Sequence, residues 1–395
     1  MILAKYLIGD LCSFSKGASI PRDRMHEKEG FLYLHYGDLY AGHNLYVDVE
    51  NPEKKLPRVD CSEKIRPDQF VDDGDIIYVL TSETVDDLGH AFCINNPNHK
   101  RIVAGTETTV MRVNRRDVVD PRYLNYILQT PLFLRKLRQY VTGMKVFRVH
   151  SRDISRIEVN LPPLDQQLKV IGLLDAIYFK LRLNSRINDH LLELMERRYR
   201  SLFQTSEARG SIYDIAEVIY GAAFKSSLFN EDGEGWPLIR IRDLSTFKPQ
   251  VYTKEKHAKR TFVDPGDIVA GMDADFHPTF WLGERGVLNQ RVCHFRPADN
   301  SGVTPSYLLF ALRPLLSFIQ NYATGTTVAH LGKGDLEALD VPLPHRMSLL
   351  EYGAYAEPLR RYIVECAIEN IRLTLLRDSL LPKLVSGEID VADIG

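Results

Sequence analysis

No stretch of this 395-residue chain approaches the roughly 20 consecutive apolar residues that a membrane-crossing helix needs. The first ten residues, with Lys5 and Asp10 around a short apolar stretch, also lack the apolar core and cleavage pattern of a signal peptide. Membrane insertion and secretion are therefore not expected. Cysteine is scarce: Cys12, Cys61, Cys93, Cys293 and Cys366 are odd in number and never spaced as metal ligands or as a redox pair. They read as reduced core thiols of a cytoplasmic protein. Nor does one sign of charge dominate. Fifty Lys and Arg stand against 52 Asp and Glu, a net charge of −2, so any nucleic-acid-binding surface has to be local.

Catalytic constellations are missing as well. There is no HExxH helix, no CxxC pair and no nucleophile elbow, and the twelve histidines are dispersed. Residues 325–333 imitate a phosphate-binding loop, but six residues separate Gly325 from Gly332, and Gly334 stands where a Ser or Thr would hold magnesium. Asn160-Leu161-Pro162-Pro163 contains the double proline of an amino-methyltransferase loop, yet Leu161 interrupts it and no aromatic follows to stack on an extruded base. Asp72, Asp73, Asp75, Asp264 and Asp267 recur where a strand begins after a glycine turn, which gives them a structural reading. No catalytic residue, metal ligand or cofactor is assigned to this chain.

What the sequence does contain is a repeat. At an offset of 182, Thr142-Gly143 matches Thr324-Gly325, Asp153 matches Asp335, Val159 matches Val341, and Leu161-Pro162 matches Leu343-Pro344. The register runs on without a gap through Leu181 and Ile363, Asn188 and Asn370, Leu191 and Leu373, and Leu202 and Leu384. Upstream the spacing drifts, as insertions produce: Pro121-Arg-Tyr-Leu answers Pro305-Ser-Tyr-Leu, Phe70-Val-Asp-Asp-Gly-Asp-Ile-Ile answers Phe262-Val-Asp-Pro-Gly-Asp-Ile-Val, and Gly17 pairs with Gly221. A chance match of this length is improbable, so each half is one copy of a larger unit.

Each copy opens with short β-branched runs entered through a glycine turn, such as Gly74-Asp75-Ile76-Ile77 and Gly266-Asp267-Ile268-Val269, separated by polar loops. Residues 123–140 and 307–322 show helix-spaced apolar positions after a proline. Each copy then closes differently. Residues 164–203 contain no proline and only Gly172, which favours one helix of about 60 Å. Leu174, Ile177, Leu181, Asn184, Asn188, Leu191, Met195, Arg198 and Leu202 recur three and four apart, and Leu359, Ile363, Cys366, Asn370, Leu373, Arg377 and Leu380 keep the same rhythm.

The expected fold is α+β: two pseudo-symmetric domains joined by two long antiparallel helices that form a coiled coil. The boundaries fall at 1–163, 164–205, 206–345 and 346–395. Leu181, Asn184, Asn188, Leu191, Ile363, Cys366, Asn370 and Leu373 are the expected pairing residues. Two placements are open to the repeat-equivalent Asn188 and Asn370: mutual contact near a two-fold axis, or a wet helix edge. Pro358 predicts a kinked or separate first part of the second helix, and Pro382 with Gly387 predicts its end.

Leu161-Pro-Pro-Leu-Asp-Gln-Gln, Leu183-Asn-Ser-Arg-Ile-Asn and, above all, Leu376-Arg-Asp-Ser-Leu-Leu-Pro-Lys-Leu-Val-Ser-Gly-Glu-Ile carry a resemblance over nearly the whole chain. The chain resembles the specificity subunits of type I restriction-modification systems. That resemblance implies two target-recognition domains, each reading one half of a bipartite site in double-stranded DNA, with the helices as a ruler. It also implies two modification subunits that methylate adenine with S-adenosylmethionine, restriction subunits that use ATP and magnesium, and no chemistry in this chain. The second copy departs from the pattern, because Pro342-Leu-Pro-His-Arg-Met-Ser lacks the acidic-Gln-Gln that follows the first double proline.

Base reading needs donors and acceptors at groove edges, and Lys or Arg on phosphates adds salt-dependent affinity. The candidates are Lys16, Arg22, Lys145, Arg148 and Arg152 in the first module, and Lys225, Arg240, Arg242, His330 and Lys333 in the second. Tyr36, Phe147 and Phe224 are aromatic candidates for the same surface, with core packing as the default. A protein–protein scaffold that does not touch DNA is the competing reading, and a stand-alone methyltransferase or nuclease is a third.

Overall fold

The computed structural model describes residues 3–40, 43–51, 54–85, 87–203, 208–322 and 330–391, with Tyr40 and Tyr322 described in backbone only. Thr324 and Gly325 lie outside the described residues. The chain divides into two compact units, Met1–Ile177 with Leu376–Gly395, and Tyr178–Leu375.

In the first unit, strand Ile76–Val79 is buried at every position, so both of its faces are covered and no polar alternation is visible. It sits at the centre of a five-stranded sheet in the order Cys12–Lys16, Thr108–Val113, Ile76–Val79, Ala91–Asn95, Tyr46–Asp48. A four-stranded sheet runs Arg58–Val59, Phe31–Leu34, Ile102–Ala104, Phe70–Val71, with its two central strands parallel. Leu34, Val47, Val71, Ile77, Phe92 and Ile102 share one apolar cluster.

The second unit repeats this plan. Ala216–Tyr220, Val292–Pro297, Ile268–Gly271 and Thr279–Phe280 form one sheet. Phe229–Asn230, Tyr252–Thr253, Trp236–Ile239, Gly286–Leu288 and Phe262–Val263 form the other, again with a parallel central pair. Even a surface detail recurs. The Arg101 guanidinium lies 4.6 Å from the Phe31 ring centroid and 4.4 Å from that of Phe70. Arg285 lies 4.8 Å from that of Phe262, whose ring meets Trp236 edge-on at 4.8 Å.

The Gly-Asp turns are structural in both units. Gly74 and Gly266 hold φ of +80° and +94°, and the following aspartate accepts the N–H of Asp72 (3.0 Å) or Asp264 (2.8 Å). Asp75, almost fully buried, is also gripped by Arg112 at 2.8 Å.

Several expectations are corrected. The apolar run at 123–140 is two helices, Pro121–Leu128 and Pro131–Arg138. Pro131 has no N–H to offer the Ile127 carbonyl, and Thr130 instead uses its hydroxyl both to bond that carbonyl (2.7 Å) and to cap Phe133 (3.3 Å). The second long helix is continuous over Arg346–Ser386 despite Pro358 and Pro382. Pro358 and Ala354, whose carbonyl the ring leaves unbonded, are both exposed, so water can serve that carbonyl. The end comes at Gly387, with φ +73°, where Gly387 and Glu388 donate to the carbonyls of Leu384 (3.3 Å) and Lys383 (3.0 Å). Cys61 is exposed, while the other four cysteines are buried.

The first long helix is Leu164–Leu202. Within the second unit it packs antiparallel on Arg346–Ser386: Asn184 Nδ2 donates to Asn370 Oδ1 (2.9 Å) and Glu369 Oε2 (2.7 Å), and Tyr352 donates its hydroxyl to the Met195 carbonyl (3.1 Å). Lys180 reaches Glu369 at 3.1 Å, and Arg198 pairs with Glu351. Asn370 therefore faces Asn184 and not its repeat mate Asn188. Asn184, Asn188, Ile363 and Cys366 are buried, while Leu181, Leu191, Asn370 and Leu373 are half-buried.

Candidate nucleic-acid interface

One edge of the first module is stitched by backbone hydrogen bonds between five segments. Lys16 ends its strand opposite Thr109, Gly17 donates to the Thr108 carbonyl (3.0 Å), and Ala18 donates to that of Ala104 (2.7 Å). Gly105 donates to Leu34 (2.9 Å), and Thr108 donates to Gly105 (3.3 Å), which closes a turn with Thr106 and Glu107 at its tip. Val79 pairs with Thr108, Val149 donates to the Leu80 carbonyl (3.0 Å), and Arg148 pairs with Thr81. A Cβ on Gly17 would stand 2.0 Å from the Gly105 oxygen, so only glycine permits this approach.

The second module builds the same edge. Gly221 donates to Val292 (3.1 Å), Ala222 to Leu288 (3.0 Å), Asn289 to Ile239 (3.1 Å) and Val292 to Asn289 (2.9 Å). Gly271 pairs with Val292, Leu331 donates to Met272 (2.7 Å), and His330 bridges Asp273. A Cβ on Gly221 would again stand 2.0 Å from a backbone oxygen, that of Asn289. Arg148 and His330 thus occupy equivalent places, facing Thr81 and Asp273.

The candidate side chains distribute unevenly over these edges. Lys16 and Arg148 are exposed on the first edge, and Arg22 reaches it by lying 3.5 Å from Nδ1 of His35, the residue after strand Phe31–Leu34. Partial burial and then Arg22 hold the His35 pKa below its usual value, with Asp38 opposing. Its Nδ1 accepts the Gly37 N–H at 3.1 Å, as a neutral ring does. Lys145 is exposed in the loop before Phe147–Arg148, and Arg152 lies beyond the edge with Asp153 at 3.9 Å.

On the second edge Arg240 is committed to structure, its backbone and Nε both bonded to the buried Asp243 (2.9 and 3.3 Å). Arg242 and Lys225 are exposed, and the Lys225 N–H is held by Glu255 at 2.7 Å. His330 Nδ1 lies 2.7 Å from Asp273 Oδ1, and Lys333 pairs with Glu337 at 3.2 Å within its own helix. Tyr36 is exposed, Phe147 half-buried, and Phe224 belongs to an apolar cluster with Leu238 and Val287. Among the described residues no group of His, Cys, Asp and Glu is placed to hold a metal, and no helix is long and apolar enough to cross a membrane.

Residues 208–347 match the family described as the type I restriction modification DNA specificity domain. The specificity subunit of the type I restriction enzyme EcoBI of Escherichia coli is 31% identical over 210 residues, which take in 51% of this chain and 44% of that relative. The MjaIX specificity subunit of Methanocaldococcus jannaschii is 23% identical across 88% of this chain and 85% of its own length. The chain is thus similar, over its second module and at lower identity over most of its length, to type I restriction enzyme specificity subunits. The fold is shared with a solved structure. The crystal structure of a type I S subunit from M. genitalium superposes with a TM-score of 0.58 at 14% identity, over 97% of this chain and 96% of that one.

Sequence reasoning missed Glu107, Asp273 and Arg291 at the edges of the two modules. Their signal was weak, because residues 104–108 and 288–292 share a backbone pattern and almost no side-chain identity.

Proposed function

We propose that this chain is a specificity subunit and reads a bipartite target in double-stranded DNA, one half with each module. The reading rests on one observation: the same edge is assembled twice, from strand ends and turn tips whose side chains vary over a fixed hydrogen-bonded frame. Residues 1–163 and 206–345 act as target-recognition domains, while 164–205 and 346–395 are spacer helices whose pairing sets the preferred distance between half-sites. Lys16, Arg22, Lys145, Arg148, Arg152, Lys225, Arg242 and Lys333 supply phosphate attraction. His330 contributes to base reading, and Arg240 serves indirectly by holding its turn.

Catalysis belongs to partners: two modification subunits that methylate adenine with S-adenosylmethionine, and restriction subunits that use ATP and magnesium. A gel-shift with competitor duplexes, with and without a modification subunit, tests the reading. Retention of duplexes carrying two half-sites at one spacing is expected, with binding weakened when a base pair is inserted between them. Failure to retain duplex of any sequence would leave a protein–protein scaffold in its place. Methylome sequencing of a host carrying the chain and its modification subunit would report the motif directly.

A further inference from the structure

The two edges share their frame and differ at its tip. Four backbone bonds make residues 104–108 and 288–292 equivalent one by one: those of Ala18 and Ala222, Gly105 and Asn289, Gly17 and Gly221, and Thr108 and Val292. Glu107 therefore occupies the place of Arg291. Both are exposed third residues of four-residue turns, and they carry opposite charge.

Their surroundings differ in a way that bears on recognition. Arg291 Nη1 lies 3.3 Å from Oδ1 and 3.2 Å from Oδ2 of Asp273, whose Oδ1 also meets His330 Nδ1 at 2.7 Å. The carboxylate is thus covered by two donors. It anchors the guanidinium through Nη1 while Nε and Nη2 remain without a partner among the described residues. Those two nitrogens form a flat fork, the geometry that matches O6 and N7 of guanine in the major groove. On the first edge Thr81 replaces Asp273 and Arg148 replaces His330. Glu107 has no ion-pair partner among the described residues and offers acceptors only, as an exocyclic amino group of cytosine or adenine requires.

We propose that Glu107 and Arg291 are the specificity-determining pair at equivalent turn tips, Arg291 reading a guanine in the half-site of the second module and Glu107 accepting from a base amino group in the half-site of the first. The inference rests on the DNA reading above. It makes the bipartite target asymmetric, with Asp273 as a positioning residue for the second half.

The test is selection from a randomised duplex library by the specificity subunit assembled with modification subunits. The unsubstituted complex should return a two-part motif. R291A should lose guanine preference at a single position of one half-site, on the order of ten- to hundredfold, and leave the other half-site unchanged. R291K, which keeps the charge and loses the fork, should show the same loss. E107A should relax one position of the other half-site, and D273N should weaken the Arg291 position alone. An unchanged motif in R291A and E107A would overturn the proposal. So would full preference in R291K, or uniform weakening over all sequences with a shallower salt dependence, since both describe a phosphate contact. A complex without substitutions that returns no motif refutes the DNA reading itself, a result distinct from any of these.

Discussion

Asn184 donates through Nδ2 to Oδ1 of Asn370 at 2.9 Å, so the register of the helix pair in the second unit is marked by a polar contact on the buried seam. Asn184 is fully buried, whereas Asn370 and Glu369 are partly exposed. Asn184→Ala should therefore lower stability by roughly 1 kcal/mol, seen as a drop of about 2–4 °C in Tm. Asn188 is the contrasting case: the buried Oδ1 atoms of both asparagines lack a partner among the described residues, but Asn188 has no counterpart to the two bonds that Asn184 donates through Nδ2. Asn188→Leu should be neutral or stabilising by about 1 kcal/mol, and a loss as large as that of Asn184→Ala would show that Asn188 has a polar role.

Repeat-equivalent aspartates should respond unequally to substitution. Asp75 is almost wholly buried and bonded to Arg112 at 2.8 Å, while Asp267 is 34% exposed and only 3.8 Å from His294. Asp75→Ala leaves a guanidinium facing a cavity and should cost about 3 kcal/mol. Asp267→Ala should cost about 1 kcal/mol. Urea denaturation midpoints for the two variants measure the difference.

His294 gives the fold a pH dependence of definite sign. Burial, the largest influence, lowers its pKa below 6.5; Asp267 opposes and Arg296 reinforces the shift. The unfolded chain then takes up the proton first as the solution is acidified. Stability is complete above about pH 6.5 and falls as the pH drops from there towards the folded pKa. His277 is shifted in the same direction, chiefly by burial. Tm should decline between about pH 7 and 5.5, and His294→Phe should remove part of that slope. An identical slope in the variant would assign the dependence to other groups.

Gly17 and Gly221 should tolerate no side chain. A methyl group 2.0 Å from a carbonyl oxygen forces the turn away from its strand, so each alanine substitution should cost roughly 1–3 kcal/mol. Amide exchange should quicken at Ala18 and Gly105 in Gly17→Ala, and at Ala222 and Asn289 in Gly221→Ala.

The repeat was legible wherever side chains persisted. The Phe-Val-Asp-Xaa-Gly-Asp turns and the ungapped offset of 182 announced two copies and two long helices, because a positive-φ glycine and a helical seam both constrain residue type. Helix boundaries were less legible. Proline alone does not mark a boundary: at Pro131 the preceding Thr130 leaves the helical conformation and caps the next helix, whereas Pro314, Pro358 and Pro382 lie inside continuous helices. The edge residues Glu107 and Arg291 were hidden for another reason. Their equivalence is carried by backbone N–H and C=O groups, which every residue but proline possesses, and so it leaves no mark in the letters.

The first unit draws on both ends of the described chain. Leu3 packs beside Gly387, and Pro382, Val385 and Ser386 line a cleft of about 320 Å³ with Ile127, Phe133 and Val159. Synthesis on the ribosome therefore delivers the N-terminal module long before the residues that complete it. The contacts between that module and residues 376–391 can form only after the whole second unit has been translated, which gives the first unit a high contact order.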